Sequence, residues 1–349
     1  MSETESSFDF ARLQAKPARR GSPKKAMRIL LMGDFSGRRN RGIVAADDLL
    51  ERPVDRVDVD NFAAVMARIA SELTLRFSDP AMPDVRIALH RLDDFHPDVL
   101  LQKLDVFQGL QHLRKRLQDP VEFDAVAEEL RLQVQMTVRA VDNAQVESEL
   151  PVEDDAETLE RLLGQPSRRE SRPAEVRAQD AVMDYINKIV ADYVVPDAPP
   201  HREVYLQAVD AAIGGKMRML LQHPDFQELE AAWRAVQDLV FGIKTDAALS
   251  LHVLDVSREE LFSDLSSATQ GLQTSGLYRL LVERHAEGFG VAPWSVLAGN
   301  YTFGCSAEDI ALLVGLGVLA SHAGGPFLAA ADPRILGCRS LADTPDAHD

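Results

Sequence analysis

Positive charge is scarce in this 349-residue sequence: 38 Lys and Arg stand against 55 Asp and Glu, a formal net charge of -17. Non-specific binding to nucleic acid or to an anionic membrane needs a cationic face, so neither is expected as a partner. Cysteine is nearly absent too. Cys305 and Cys338 form no C-x-x-C and have no histidine cluster beside them, which argues against a disulfide framework or a zinc site and fits a reducing, cytoplasmic setting. Long apolar runs are missing. The longest, Ile310–Ala320, contains Gly315 and Gly317 and falls short of the ~18 residues a membrane span needs. Met1–Ala26 lacks the apolar centre of a signal peptide. No phosphate-binding glycine pattern occurs: Gly33-Asp34-Phe35-Ser36-Gly37 follows a strand-like run, but it has no lysine and its Asp34 would repel a phosphate. It reads as a structural turn, and no cofactor is expected.

What is present is a soluble α/β composition. Hydrophobic residues make up 46% of the chain, and its length suits roughly two domains. Residues 1–26 read as a polar tail. Met27–Gly33 is an apolar run ending in glycine, the pattern of a buried strand, and Val54–Val59 alternates like a strand with one wet face. Phe62, Val65, Met66 and Ile69 have helical spacing, with Asp60 or Asn61 as the expected cap. Leu73–Phe77 and Val85–Leu89 read as strands, and Pro97 opens a helix where its missing N–H costs nothing. Residues 141–178 shift to charged, proline-containing sequence and read as a linker, with a small amphipathic island at Ala156–Leu163.

Beyond it come expected helices at Ala181–Val194, Glu203–Leu221 and Pro224–Ile243, the last with Phe226, Leu229, Trp233, Val236 and Val240 on one face. Leu249–Val256 reads as a strand, and Ser257 with Glu260 as a capping box. Ser295–Tyr301 and Phe327–Ala331 read as further strands on either side of a helix over Ala307–His322. Strands alternating with helices in both halves give an α/β class. The domain expectation is 27–140 for the first module and 179–349 for the second, joined by the charged linker.

Candidate chemistry is thin. Asp93 and Asp94 could serve as a carboxylate pair, but two acids ahead of a proline-led helix more often cap it. His90 and His96 flank them without completing a metal set, His223 and Asp225 sit at a helix start, and Cys305 with His322 or His285 lacks an activating signature. No catalytic residue is assigned, and no metal site.

Motifs in combination carry more. Arg28–Gly37 (RILLMGDFSG), Arg56–Ile69 (RVDVDNFAAVMARI) and Leu92–Val99 (LDDFHPDV) resemble, in that order, the small contractile-sheath subunit of type VI secretion systems (TssB, or VipA). His223–Arg234 (HPDFQELEAAWR), Val253–Leu261 (VLDVSREEL), Gly299–Gly304 (GNYTFG, where that family usually has Gly-Asp-Tyr-x-Phe) and Pro326–Pro333 (PFLAAADP) resemble the N-terminal part of the large subunit (TssC, or VipB). The resemblances cover roughly residues 27–135 and 156–345. They imply two fused sheath-subunit-like modules and a non-catalytic structural role through protein–protein assembly. The implied partners are small and large sheath subunits, with the Hcp tube, the baseplate and the ClpV unfoldase as further candidates. The large subunit's C-terminal half has no counterpart in the matched stretch.

Sheath subunits share strands with their neighbours, so the expected contributors to assembly are the Phe226–Val240 helix with Trp233 and strand edges near Leu30, Val253 and Phe327. By the same resemblance, Leu159, Leu162 and Leu163 become the candidate contact for the unfoldase. An adaptor built from sheath modules that does not polymerise, and an uncharacterised hydrolase, are the alternatives.

Overall fold

The computed structural model describes residues 26–44, 49–79, 82–130, 202–284, 292–340 and 342. Within them the expected strands and helices form, and they group into two compact units. One compact unit draws on Met1–Thr74, Arg86–Phe95 and Pro224–Asp349; the other draws on Leu75–Val85 and His96–His223. Both units therefore take residues from each sequence module. The compact units therefore differ in extent from the sequence modules expected at 27–140 and 179–349.

The first unit is organised by a five-stranded mixed sheet in the order β2-β5-β1-β6-β7. β1 (Met27–Gly33) lies at its centre. It runs parallel to β5 (Leu249–Asp255) from Met27↔Leu249 to Gly33↔Asp255, and parallel to β6 (Val296–Phe303) from Ile29↔Val296 to Met32↔Gly299. β7 (Phe327–Ala331) adds in parallel beyond β6, and β2 (Asp55–Val57) caps the other side antiparallel to β5. Of the three strand edges expected from sequence, those near Leu30 and Val253 are therefore interior. Only Phe327 lies on an edge strand.

A central parallel strand is buried on both faces, which is why β1 is a continuous apolar run rather than an alternation. Leu30 and Met32 join Leu254, Leu297 and Leu316 in one core cluster. That cluster is roofed by α6 (Arg258–Ser267) and α7 (Ala307–Ala323). The Ser257 capping box forms as expected. The Asp60/Asn61 cap does not: Asn61 Oδ1 accepts from Asp58 N–H, so α1 (Phe62–Ile69) starts without a side-chain cap. The same unit holds most of a two-stranded ribbon of β3 (Ser71–Leu75) and β4 (Val85–Leu89). It also holds α5 (Pro224–Gly242), whose Phe226 stacks edge-on against Phe95 with ring centroids 5.5 Å apart.

The second unit is helical. α3 (Asp105–Gln118) follows α2 (Pro97–Lys103) and buries Leu110, Leu113 and Leu117 against Tyr205, Val209 and Ala212 of α4 (Arg202–Leu221), with Phe123 and Val126 closing the cluster. Arg114 pairs with Asp210 on its rim at 2.6 Å. Burial pushes the Lys216 amine down to about 8, against the opposing pull of Asp79.

Candidate functional site

The residues that hold β1 in the sheet form a dense polar cluster in the first unit. Past Gly33 the chain turns sharply. Phe35 and Ser36 N–H donate to Asp255 Oδ1 at 2.8 and 3.0 Å, and the Ser36 hydroxyl donates to Oδ2 at 2.7 Å. Asp34 accepts from Arg38 and Arg39 N–H at 2.7 and 2.8 Å, which closes the turn on itself. Gly37 has φ +76, and a Cβ there would fall 2.5 Å from the Glu72 carbonyl oxygen, so the position demands glycine.

Behind this turn lies Glu260, the N3 residue of the capping box. Arg38 Nε meets its two carboxylate oxygens at 2.8 and 2.9 Å, and Arg52 reaches them at 3.0 and 3.2 Å. Burial opposes ionisation of Glu260. The hydrogen bonds from Arg38 and Arg52, helped by Ser257 N–H, outweigh that and hold its carboxyl below the usual range. Asp255 goes the other way: burial raises its pKa more than Ser36 and Phe35 lower it, and the nearby Asp34 charge adds to the rise.

Trp233 completes the seat. Its side chain is fully buried, and its indole N–H donates to the Phe35 carbonyl at 2.9 Å and to Ser71 Oγ at 3.0 Å. Its ring lies 5.5 Å from that of Phe35 and 6.0 Å from that of Phe62. Trp233, expected from sequence as a contact for another protein, is fully buried in this structure. The Gly299–Gly304 motif also has a job. Gly299 lies where a Cβ would meet the Phe327 ring at 2.7 Å, the β6–β7 register breaks between Gly299 and Thr302, and Tyr301 donates its hydroxyl to the Val256 carbonyl at 2.8 Å.

The polar residues weighed for chemistry are mostly engaged in local structure. Asp94 accepts from His90 and Arg91 N–H, and His96 caps α2 through Asp98 N–H. His322 meets the Tyr278 hydroxyl at 3.1 Å, and Cys305 is exposed. His285, Leu159, Leu162, Leu163 and the Ala181–Val194 segment lie outside the described residues. No group of three or more metal-ligating side chains occurs among the described residues, and no described helix is long and apolar enough to cross a membrane. A cleft of about 430 Å³ opens past the carboxyl ends of β1 and β6. Its cations are already paired, Arg39 with Asp225 and Glu228, Arg258 with Asp309.

Two family profiles match this chain. Residues 21–150 match VipA of the type VI secretion system, and residues 203–349 match VipB, the tail sheath N-terminal domain. In order along the chain, the matched stretches resemble a small-subunit module followed by the N-terminal module of a large one. One curated relative, the type VI secretion system sheath protein TssC1 of Pseudomonas aeruginosa, is 29% identical over 188 residues. The alignment covers 52% of this chain and 38% of that protein, so the chain spans well under half of the relative it matches.

Set on the fold, the two matches explain the interleaved units. β1, its turn, Arg38 and Arg52 belong to the VipA-type stretch, while β5, β6, Asp255, Glu260 and Trp233 belong to the VipB-type stretch. The cluster around β1 is thus the junction of the two modules. Sequence reasoning named Trp233 and the capping box but missed Arg38, Arg52 and Asp255. The sequence shows the parts, an acid ending β5 and arginines clustered after the Gly-Asp-Phe-Ser-Gly turn, but nothing local pairs them across more than 200 residues.

Proposed function

We propose that this protein is a non-catalytic structural component of a type VI secretion sheath, acting by assembly with small and large sheath subunits. The observation that carries the reading is the placement of a VipA-type strand, β1, between two VipB-type strands, β5 and β6, in a sheet whose parallel edge, β7, has no further strand beside it among the described residues. A free edge binds by β-augmentation, in which backbone hydrogen bonds supply affinity and side-chain fit supplies register. Here the edge is apolar and bare: Leu328 is 56% exposed and Ala329, Ala330 and Ala331 are exposed with it. Ile310, Leu313, Val314 and Gly317 on α7 add an exposed stripe at helical spacing. Contacts with the Hcp tube, the baseplate and ClpV, the last through Leu159, Leu162 and Leu163, belong to the proposal by family resemblance alone.

Co-expression with full-length small and large subunits, followed by sedimentation, tests it. The chain is expected in the pelleted polymer. A stable monomer left in the supernatant beside pelleted sheath would overturn the sheath role and leave an adaptor that does not polymerise.

A further inference from the structure

The strand pairing of β1 and the ion pairs and Trp233 hydrogen bond that hold its turn join residues 27–74 to residues 224–327, and such contacts can form within one copy or between two. Without β1, β5 and β6 would present open ladder edges over the positions it pairs, from Met27 to Gly33 on one side and Ile29 to Met32 on the other. Glu260, fully buried, would lose both arginines, and the Trp233 N–H would lose its acceptor. Buried ions and donors left in that state are costly, so the slot takes the first matching strand it meets. The helical contacts of Leu110, Leu113 and Leu117 with Tyr205 and Val209 also join an early residue set to a late one. Between the two sets run residues 131–201, whose contour at full extension is on the order of 200 Å.

We propose that the N-terminal stretch, residues 27–130, exchanges between copies of this chain, so that β1 of one copy seats between β5 and β6 of another. Closure within one copy is favoured only by effective concentration, which falls as the connecting stretch lengthens. Reciprocal exchange makes a closed dimer, and one-way exchange links copies head to tail without any new interface. The inference does not depend on the sheath reading and fails or stands separately from it.

Cross-linking reads the exchange directly. Two differently tagged full-length copies are co-expressed in a Cys305→Ser, Cys338→Ser background, one carrying Met27→Cys and the other Leu249→Cys, which are register partners on β1 and β5. A short bis-maleimide is expected to give a product carrying both tags. Cross-linking only within a single copy that holds both cysteines, with no two-tag product, would overturn the proposal.

Charge reversal supplies the second arm. Arg38→Glu and Glu260→Arg each place like charges together in one copy, whereas the exchanged pair restores an opposite-charge match at both junctions. Recovery of soluble two-tag dimer only on co-expression supports exchange. Loss of both variants even when co-expressed, in a protein that also gives no two-tag cross-link, counts against it.

Discussion

β1 and β7 look alike on paper and live in opposite surroundings. Both are short apolar runs ending at a polar turn, MRILLMG before Asp34 and FLAAA before Asp332. β1 is the middle strand, buried on both faces, with Leu30 and Met32 wholly inside the core. β7 is an edge strand on which every residue but Phe327 is exposed. A parallel strand written for burial on both faces but covered on neither is an incomplete structure, because parallel sheets are normally sheathed on both sides. The comparison teaches that apolar runs alike in composition can end up with two strand neighbours or with one. The first is locked by buried ions; the second has no charged residue along it to discourage pairing.

The sharpest way to break the β1 half is at its ion cluster. Glu260→Gln leaves Arg38 and Arg52 facing a neutral amide in a buried site, and breaking such a pair costs about 3–5 kcal/mol. Urea unfolding at neutral pH should show a loss of that order. The pH dependence separates the two buried acids. Glu260 titrates below the usual range when folded, so its stabilisation is present above the unfolded carboxylate pKa and is lost as pH falls through the folded value. Asp255 is raised, so its contribution is full below the unfolded pKa and is lost as pH rises through the folded value. The Gln variant should therefore lack the acid-side loss that belongs to Glu260, and Asp255→Asn should lack the opposite one. A Gln variant as stable as the parent at neutral pH would mean that the junction is not held by this cluster.

Next in size is the apolar part of the same strand. Leu30→Ala removes a fully buried side chain at the sheet centre and is expected to cost about 2–5 kcal/mol, with the spread set by how far the cavity collapses. A shift in the urea midpoint with unchanged slope is the expected readout. A near-neutral result would place β1 outside the cooperative core.

Much of the local structure was legible in the sequence, because its causes are local. Pro97 and Pro224 open helices at their first positions, Ser257 and Glu260 close a capping box, and strand runs at Val85–Leu89 and Phe327–Ala331 stand where their patterns put them. The junction was not legible, because its causes are long-range. Nothing near Met27 says that it will lie beside Leu249 rather than Val57, and the pairing is decided by burial on both faces together with Glu260 more than 200 residues away. The hydrophobic stripe of α5 correctly placed Trp233 on an apolar face. It could not say whether that face met solvent, a partner or the fold's own turn, because periodicity reports polarity and not identity. The same limit hid the difference between β1 and β7.

The smallest effect sharpens that difference most. Leu328→Lys changes a side chain that is 56% exposed and touches no core, so folding stability should move by within about 0.5 kcal/mol. The β6–β7 ladder is made by backbone and is left intact, with Leu328 still opposite Ala298. What changes is the edge: a lysine there is the device by which natural sheets discourage a further strand, since docking would desolvate the ammonium or force it aside. The variant should unfold at the same urea concentration as the parent and yet fall out of the sedimenting fraction with co-expressed sheath subunits. A stability loss of the size expected for Leu30→Ala would mean that β7 is packed like β1. Unchanged sedimentation would mean that assembly uses another face.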